Sequence, residues 1–246
     1  MFPIRDDQQP TRTPMVTWAL LALNVVVFAF QLGMPDWVLE RFYLLYGIVP
    51  ARITDPQWAW YNGFPGGGWL TFLTSLFIHG GWLHLLANMW TLWLFGDDVE
   101  DRLGPGRFLA LYLGAGLVAG SVQVLLFPGM TMPTIGASGA VAGVMGAFLL
   151  LFPLARIDIL VPVFFFFFVW QVPAVFYLPF WFLGEVLSGT LALAVPTFSN
   201  VAFWAHVGGF LTGLALVQHL RPEPPVRRAR PVEIIHGPGF VILPGR

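Results

Sequence analysis

The chain has 246 residues, 57% hydrophobic and only 10% charged, with a mean hydropathy of +0.74; soluble domains carry about a quarter charged residues, so this is the composition of a membrane protein. All 12 basic residues are arginine and the net charge is −1, which gives no basis for a nucleic-acid partner or a long-range steering field. Cysteine is absent, which excludes disulfides and thiol nucleophiles and leaves the redox compartment open.

Apolar stretches bounded by charges, prolines and glycines run over residues 15–33, 82–96, 107–127, 138–152, 159–183 and 201–220. They predict an all-α membrane protein built as a six-transmembrane-helix bundle. The first stretch follows Arg5 and Arg12 like a signal peptide, but "FAFQLGMPDW" offers no small-x-small cleavage site, and it is expected to stay attached. Six spans with an inside N-terminus put Arg5, Arg12, Arg102, Arg107, Arg156, Arg221, Arg227, Arg228, Arg230 and Arg246 on one side and only Arg41 and Arg52 on the other. The arginine-rich side is expected to be cytoplasmic, with both termini inside.

Three parts follow: a cytoplasmic N-terminal segment (1–14), one helical domain (15–220) and a Pro/Arg-rich cytoplasmic tail (221–246). Both ends read as loose segments, either solvated or lying near anionic headgroups. The long first loop, 34–81, carries Trp37, Trp58, Trp60, Trp69, Tyr43, Tyr46 and Tyr61. Such aromatics favour the headgroup level, so the loop is expected to be membrane-associated and to form short helices in the outer interface.

The fourth stretch is short. At about 1.5 Å per residue, Ser138 to Phe152 spans roughly 22 Å, less than a hydrocarbon core of about 30 Å. It follows "FPGMTMPTIGA", a run of irregular-backbone residues. Ser138 is thus expected at a helix N-terminus sunk below the outer surface, where irregular backbone needs protein or water around it. The unpaired N–H groups there suit an oxyanion, although a plain N-cap is the commoner role for such a serine.

Gly139 and Gly143 form a G-x-x-x-G pair extended by Gly146 and Ala147, and the sixth stretch offers Gly209 and Gly213. Packing these small faces together brings His206, on the same face as Gly209, toward Ser138. In the second stretch His84 and Asn88 lie four apart on one helical face, and His79 precedes Gly80 and Gly81. Ionisable groups inside a membrane are candidates for function, with interhelical hydrogen bonding as the structural alternative. A metal site of His79, His84 and His206 is not expected, because no acid lies near them in these segments and no H-E-x-x-H occurs.

Three motifs, "HGGWLHLLAN", "GASGAVAG" and "AHVGGFLTG", in this order on the second, fourth and sixth segments, resemble the rhomboid intramembrane serine proteases over residues 40–220; "VEDRLG" (Val99 to Gly104) adds to the likeness. The resemblance implies Ser138 as nucleophile, His206 as general base, and His84, Asn88 and the Ser138 N–H as the oxyanion hole. It implies a Ser-His dyad without an orienting acid and without cofactor or metal, acting on single-span transmembrane proteins within membrane lipid. A bacterial inner membrane is the expected location. The family's lateral gate falls near the fifth segment, with its five consecutive phenylalanines, Pro162, Pro173 and Pro179.

Two features depart from the pattern. The Trp-Arg pair found in the first loop of some members is missing, Arg52 being the nearest substitute, and Ala142 stands where relatives carry an aromatic ring against the histidine. The alternative function is a catalytically inactive rhomboid-like protein that binds transmembrane segments, which would have no need of both Ser138 and His206. A proton-coupled carrier relaying through His84 and His206 would want intramembrane acids, and Glu185 is read as lying at a helix end.

Overall fold

The computed structural model describes residues 2–64, 67–163, 166–195, 201–220, 236–237 and 240–241. Its elements in chain order are β1 (Phe2–Asp6), α1 (Met15–Leu32), α2 (Asp36–Tyr46), α3 (Pro50–Thr54), α4 (Pro56–Tyr61), α5 (Thr71–Thr74), a 3-10 turn (Ser75–Phe77), α6 (Trp82–Leu103) and α7 (Pro105–Leu126). Then come α8 (Ser138–Leu151), β2 (Arg156–Val163), β3 (Phe166–Pro173), α9 (Ala174–Ala194), α10 (Phe203–Leu220), β4 (His236–Gly237) and β5 (Phe240–Val241). Among the described residues, α1, α7 and α9 are long and apolar enough to cross a membrane, and α8 is a shorter apolar helix. Most of the tail, 221–246, lies outside the described residues.

Helix α8 is the centre of the molecule: every residue from Gly139 to Phe148 is buried. Small side chains allow this. A Cβ at Gly143 would collide with the Ala115 Cβ of α7, and one at Gly209 or Gly213 of α10 would overlap the carbonyl oxygens of Gly139 and Gly143 respectively. The α8 and α10 backbones therefore meet directly along the two glycine pairs expected from the sequence.

The start of α1 is fixed by polar contacts from α6. Helix α1 begins after Pro14, which brings no capping side chain, and the Glu100 carboxylate of α6 takes that part. It accepts from Val16 N–H at 2.9 Å, Thr17 N–H at 2.7 Å and Thr17 Oγ1 at 2.8 Å. A carboxylate at a helix N-terminus is favoured by both the free N–H groups and the dipole. Glu100→Ala would leave buried donors unpaired and is expected to destabilise the protein by about 3 kcal/mol, to be read from denaturant unfolding in detergent. Chain reversal into α7 uses Gly104, whose φ of +82° is open to glycine, followed by Pro105 at the first helical position.

The first loop forms short helices, as its sequence suggests, and three attachments hold it, two to the segment leading into α8 and one to α1. Ile48 and Thr134 exchange backbone hydrogen bonds at 3.0 and 2.8 Å, and Gly136 N–H donates to Ser75 O at 2.9 Å. The Gln31 amide of α1 donates to His79 O at 2.7 Å and accepts from His79 N–H at 3.1 Å. The contacts of Arg52 lie within the loop: its Nη1 donates to Leu45 O at 2.9 Å, and its guanidinium lies 5.0 Å from the Phe64 ring, which Arg41 approaches to 4.5 Å.

Two expectations from the sequence fail here. The fifth apolar stretch is not one helix over 159–183. Its first part pairs as the antiparallel β2–β3 hairpin, Arg156 opposite Pro173, and α9 begins only at Ala174. An unbroken apolar run has no period to distinguish helix from strand, and the β-branched and aromatic residues here, with Pro162, favour the strand. The N-terminal segment is not a loose end either, since β1 pairs antiparallel with β2. The Arg5 guanidinium donates to the buried Asp158 at 2.7 and 3.1 Å, and Gln171 Nε2 donates to the same carboxylate at 2.9 Å.

Burial pushes the Asp6 carboxyl at the end of β1 up from 3.8 to about 6, with Asp97 adding to the rise. A carboxyl raised in the folded state favours folding while protonated, so this contribution is present below 3.8 and lost as pH climbs through about 6. Protection factors across β1, with the intrinsic pH dependence of exchange divided out, are expected to be higher at pH 5 than at pH 8, and Asp6→Asn should flatten that difference.

Candidate active site

Ser138 is the first residue of α8, and the residue before it, Ala137, has no capping side chain. The N–H groups of the first turn therefore face the same space as the serine. The hydroxyl is not spent as a cap: Ser138 Oγ lies 2.8 Å from His206 Nε2, in the first turn of α10. This contact follows from the glycine seam, because His206 is three residues before Gly209, on the face that meets α8.

The other ring nitrogen is engaged as well. His206 Nδ1 lies 2.7 Å from Glu185 Oε2 of α9, and both side chains are largely buried, 14% and 15% exposed. Trp181, one turn earlier on α9, stacks over the imidazole with centroids 6.4 Å apart and planes 29° apart. The ring support missing at Ala142, itself buried in α8, thus comes from a different helix. Glu185 is not at a helix end as its sequence context suggested. With 156–173 folded as a hairpin, α9 runs Ala174–Ala194 and Glu185 lies well inside it. Trp181, Glu185 and Gly189 recur every four residues on one face, and that face meets α10, where Gly189 makes room for Trp204. This period would have exposed Glu185 had the helix been placed correctly.

The α6 pair stands against the loop leading into Ser138. Gly136 has a φ of +120°, and a Cβ there would come within 2.6 Å of His84 Nε2 and 3.7 Å of Asn88 Nδ2. Only glycine fits this close approach. His84 Nδ1 accepts from Gly80 N–H at 3.4 Å, so the neutral ring carries its proton on Nε2, facing the Gly136 backbone. Asn88 Nδ2 donates to His84 O at 3.1 Å, one turn back on the same helix. His79 is fully buried with its ring edge-on to His84, centroids 5.1 Å apart. Its backbone is held by Gln31. Among the described residues no cluster of His, Asp or Glu is arranged to hold a metal ion.

A short, central apolar helix begins with a serine that is hydrogen-bonded to a histidine from a glycine-packed neighbour, within an integral membrane protein. The rhomboid domain profile matches residues 66–223, and the chain belongs to the rhomboid family. It is similar to Rhomboid protein 1, mitochondrial, of Saccharomyces cerevisiae (30% identity; 83% of this chain, 53% of the relative). It is also similar to two Bacillus subtilis proteins, Putative rhomboid protease YdcA (35%; 55% of this chain, 61% of the relative) and Rhomboid protease GluP (43%; 34% of this chain, 16% of the relative). The chain spans about half the length of the first of these relatives. Mitochondrial proteins stand among the relatives, so the comparisons do not support the expected bacterial inner membrane.

Proposed function

We propose that this chain is an intramembrane serine endopeptidase that cleaves other proteins in or near a transmembrane segment. The observation that carries this reading is the 2.8 Å contact between Ser138 Oγ and His206 Nε2. A serine hydroxyl is a weak nucleophile until a base within hydrogen-bond reach can take its proton. Protease-named relatives support the reaction class.

In the first step Ser138 Oγ attacks the scissile carbonyl carbon while its proton passes to His206 Nε2. The resulting oxyanion is met by the Ser138 N–H at the start of α8 and by donors from His84 and Asn88. His206 then protonates the leaving amine, and the C–N bond breaks to leave an acyl-enzyme on Ser138. Water takes the place of the amine, gives its proton to His206 and attacks the ester. Collapse returns the proton to Oγ and releases the acid. A substrate helix must unwind locally first, since its carbonyls are hydrogen-bonded within the helix. Single-span proteins with helix-weak residues near the cleaved bond are the substrates this site favours.

In this reading α6 and α10 join α1, α7, α8 and α9 as membrane-crossing helices, with both termini and the arginine-rich turns on the cytoplasmic side. Full-length protein in detergent or liposomes, given a single-span model substrate, should yield a new N-terminus in or near the span, and Ser138→Ala should yield none. A substrate left intact by the wild-type protein under conditions where it stays folded overturns the proposal in favour of a non-proteolytic binder of transmembrane segments.

A further inference from the structure

We infer that Glu185 is a positioning residue for His206, so that the catalytic centre works as a Ser138–His206–Glu185 triad rather than a dyad. The inference rests on the proteolytic reading and deepens it.

With Glu185 ionised, the tautomer follows from the geometry. A carboxylate can only accept, so the 2.7 Å contact to Glu185 Oε2 requires the proton to sit on His206 Nδ1. That leaves Nε2 with its lone pair toward Ser138 Oγ, 2.8 Å away, which is the form a base must have. When Nε2 takes the serine proton the ring becomes a cation, and the Glu185 charge is already beside it. Both side chains are largely withdrawn from solvent, where a fixed counter-charge is stronger than in water. Glu185 itself neither gains nor loses a proton in this cycle.

Orientation comes from the same helix. Trp181 covers one side of the imidazole, and Glu185 one turn on takes its Nδ1 edge. Helix α9 thus offers a flat support and a hydrogen-bond acceptor four residues apart, which together restrict the ring to the rotamer that reaches Ser138. An acid inside an apolar helix is costly unless partnered, and the hydrogen-bond partner of this carboxylate is the base.

The test compares wild type with Glu185→Gln and Glu185→Leu in three readouts. Glu185→Leu removes the acceptor and is expected to lower kcat on the order of 10³-fold with KM unchanged, since only the imidazolium formed during reaction loses its partner. Glu185→Gln, isosteric and still able to accept from Nδ1–H but uncharged, should fall between it and wild type. The rate of Ser138 labelling by a fluorophosphonate, which needs no protein substrate, should drop in the same order. In proton NMR of the wild type, the His206 Nδ1 proton should resonate far downfield as a charge-assisted donor, and it should lose that position in Glu185→Leu. A merely structural carboxylate would lose the same resonance and change the unfolding midpoint, but it would leave kcat and the labelling rate unchanged in the folded variants.

Wild-type kcat and labelling rate in a folded Glu185→Gln or Glu185→Leu protein overturn the triad, as does a raised KM at constant kcat. The two readings fail separately. Absent cleavage by the wild type counts against proteolysis while the labelling rates still decide the role of Glu185; active Glu185→Leu beside inactive Ser138→Ala counts against the triad alone.

Discussion

His206→Ala is expected to lower kcat for cleavage of a single-span substrate on the order of 10⁴-fold or more, with little change in KM, and Ser138→Ala at least as much. Oγ and Nε2 stand 2.8 Å apart, so either substitution removes the path by which the serine proton leaves. The double variant should be no worse than the poorer single one, because groups that act as a unit are not additive. Initial rates over a range of substrate concentrations, with folding checked by gel filtration, measure this. Cleavage by His206→Ala within tenfold of wild type would assign the base to some other residue.

The second large effect is on packing. Gly209→Val or Gly213→Val places side-chain atoms where the α8 backbone carbonyls of Gly139 and Gly143 already are. Backbone cannot yield as a flexible side chain does, so α10 must move outward, with an expected loss of about 3 kcal/mol or more. The displacement also draws His206 away from Ser138, and misplacement by about 1 Å costs on the order of 10²-fold in rate. Activity should therefore fall in these variants even at temperatures where they remain folded. Gly184→Ala is the control, since a Cβ there meets nothing within 4 Å and helix propensity favours alanine by about 1 kcal/mol. Thermal midpoints in detergent should fall for the valine variants and hold or rise for the alanine one. Equal midpoints across the set would mean that the glycine seam does not hold α8 to α10.

The seam and its consequence were legible because they are periodic. Small residues four apart on two helices define two faces, and a histidine three residues before one of them has only one side on which to lie. The spacing of His84 and Asn88 likewise put them on one helical face, and in the structure both stand against the loop glycine Gly136. The fifth segment was not legible. An uninterrupted apolar and aromatic run has neither a period of two nor one of 3.6 to separate strand from helix, and the partner that settles it, β1, lies about 150 residues away in the chain, with Arg5 hydrogen-bonded to Asp158. That one error hid Glu185, because an acid read at a helix end needs no intramembrane partner. It also hid Trp181 as the ring over His206. The capping of α1 by Glu100 was out of reach for a similar reason, since no local signal links residue 100 to residues 16 and 17.

Mass spectrometry of the protein after reaction with a fluorophosphonate addresses the Ser138–His206 pair most directly, as fluoride leaves and a phosphorus–oxygen bond forms only on an activated hydroxyl. The adduct is expected on the peptide carrying Ser138 in the wild type, and is expected to be lost in His206→Ala although the hydroxyl remains. Modification of a different serine, or undiminished labelling of Ser138 without the imidazole, would contradict the account.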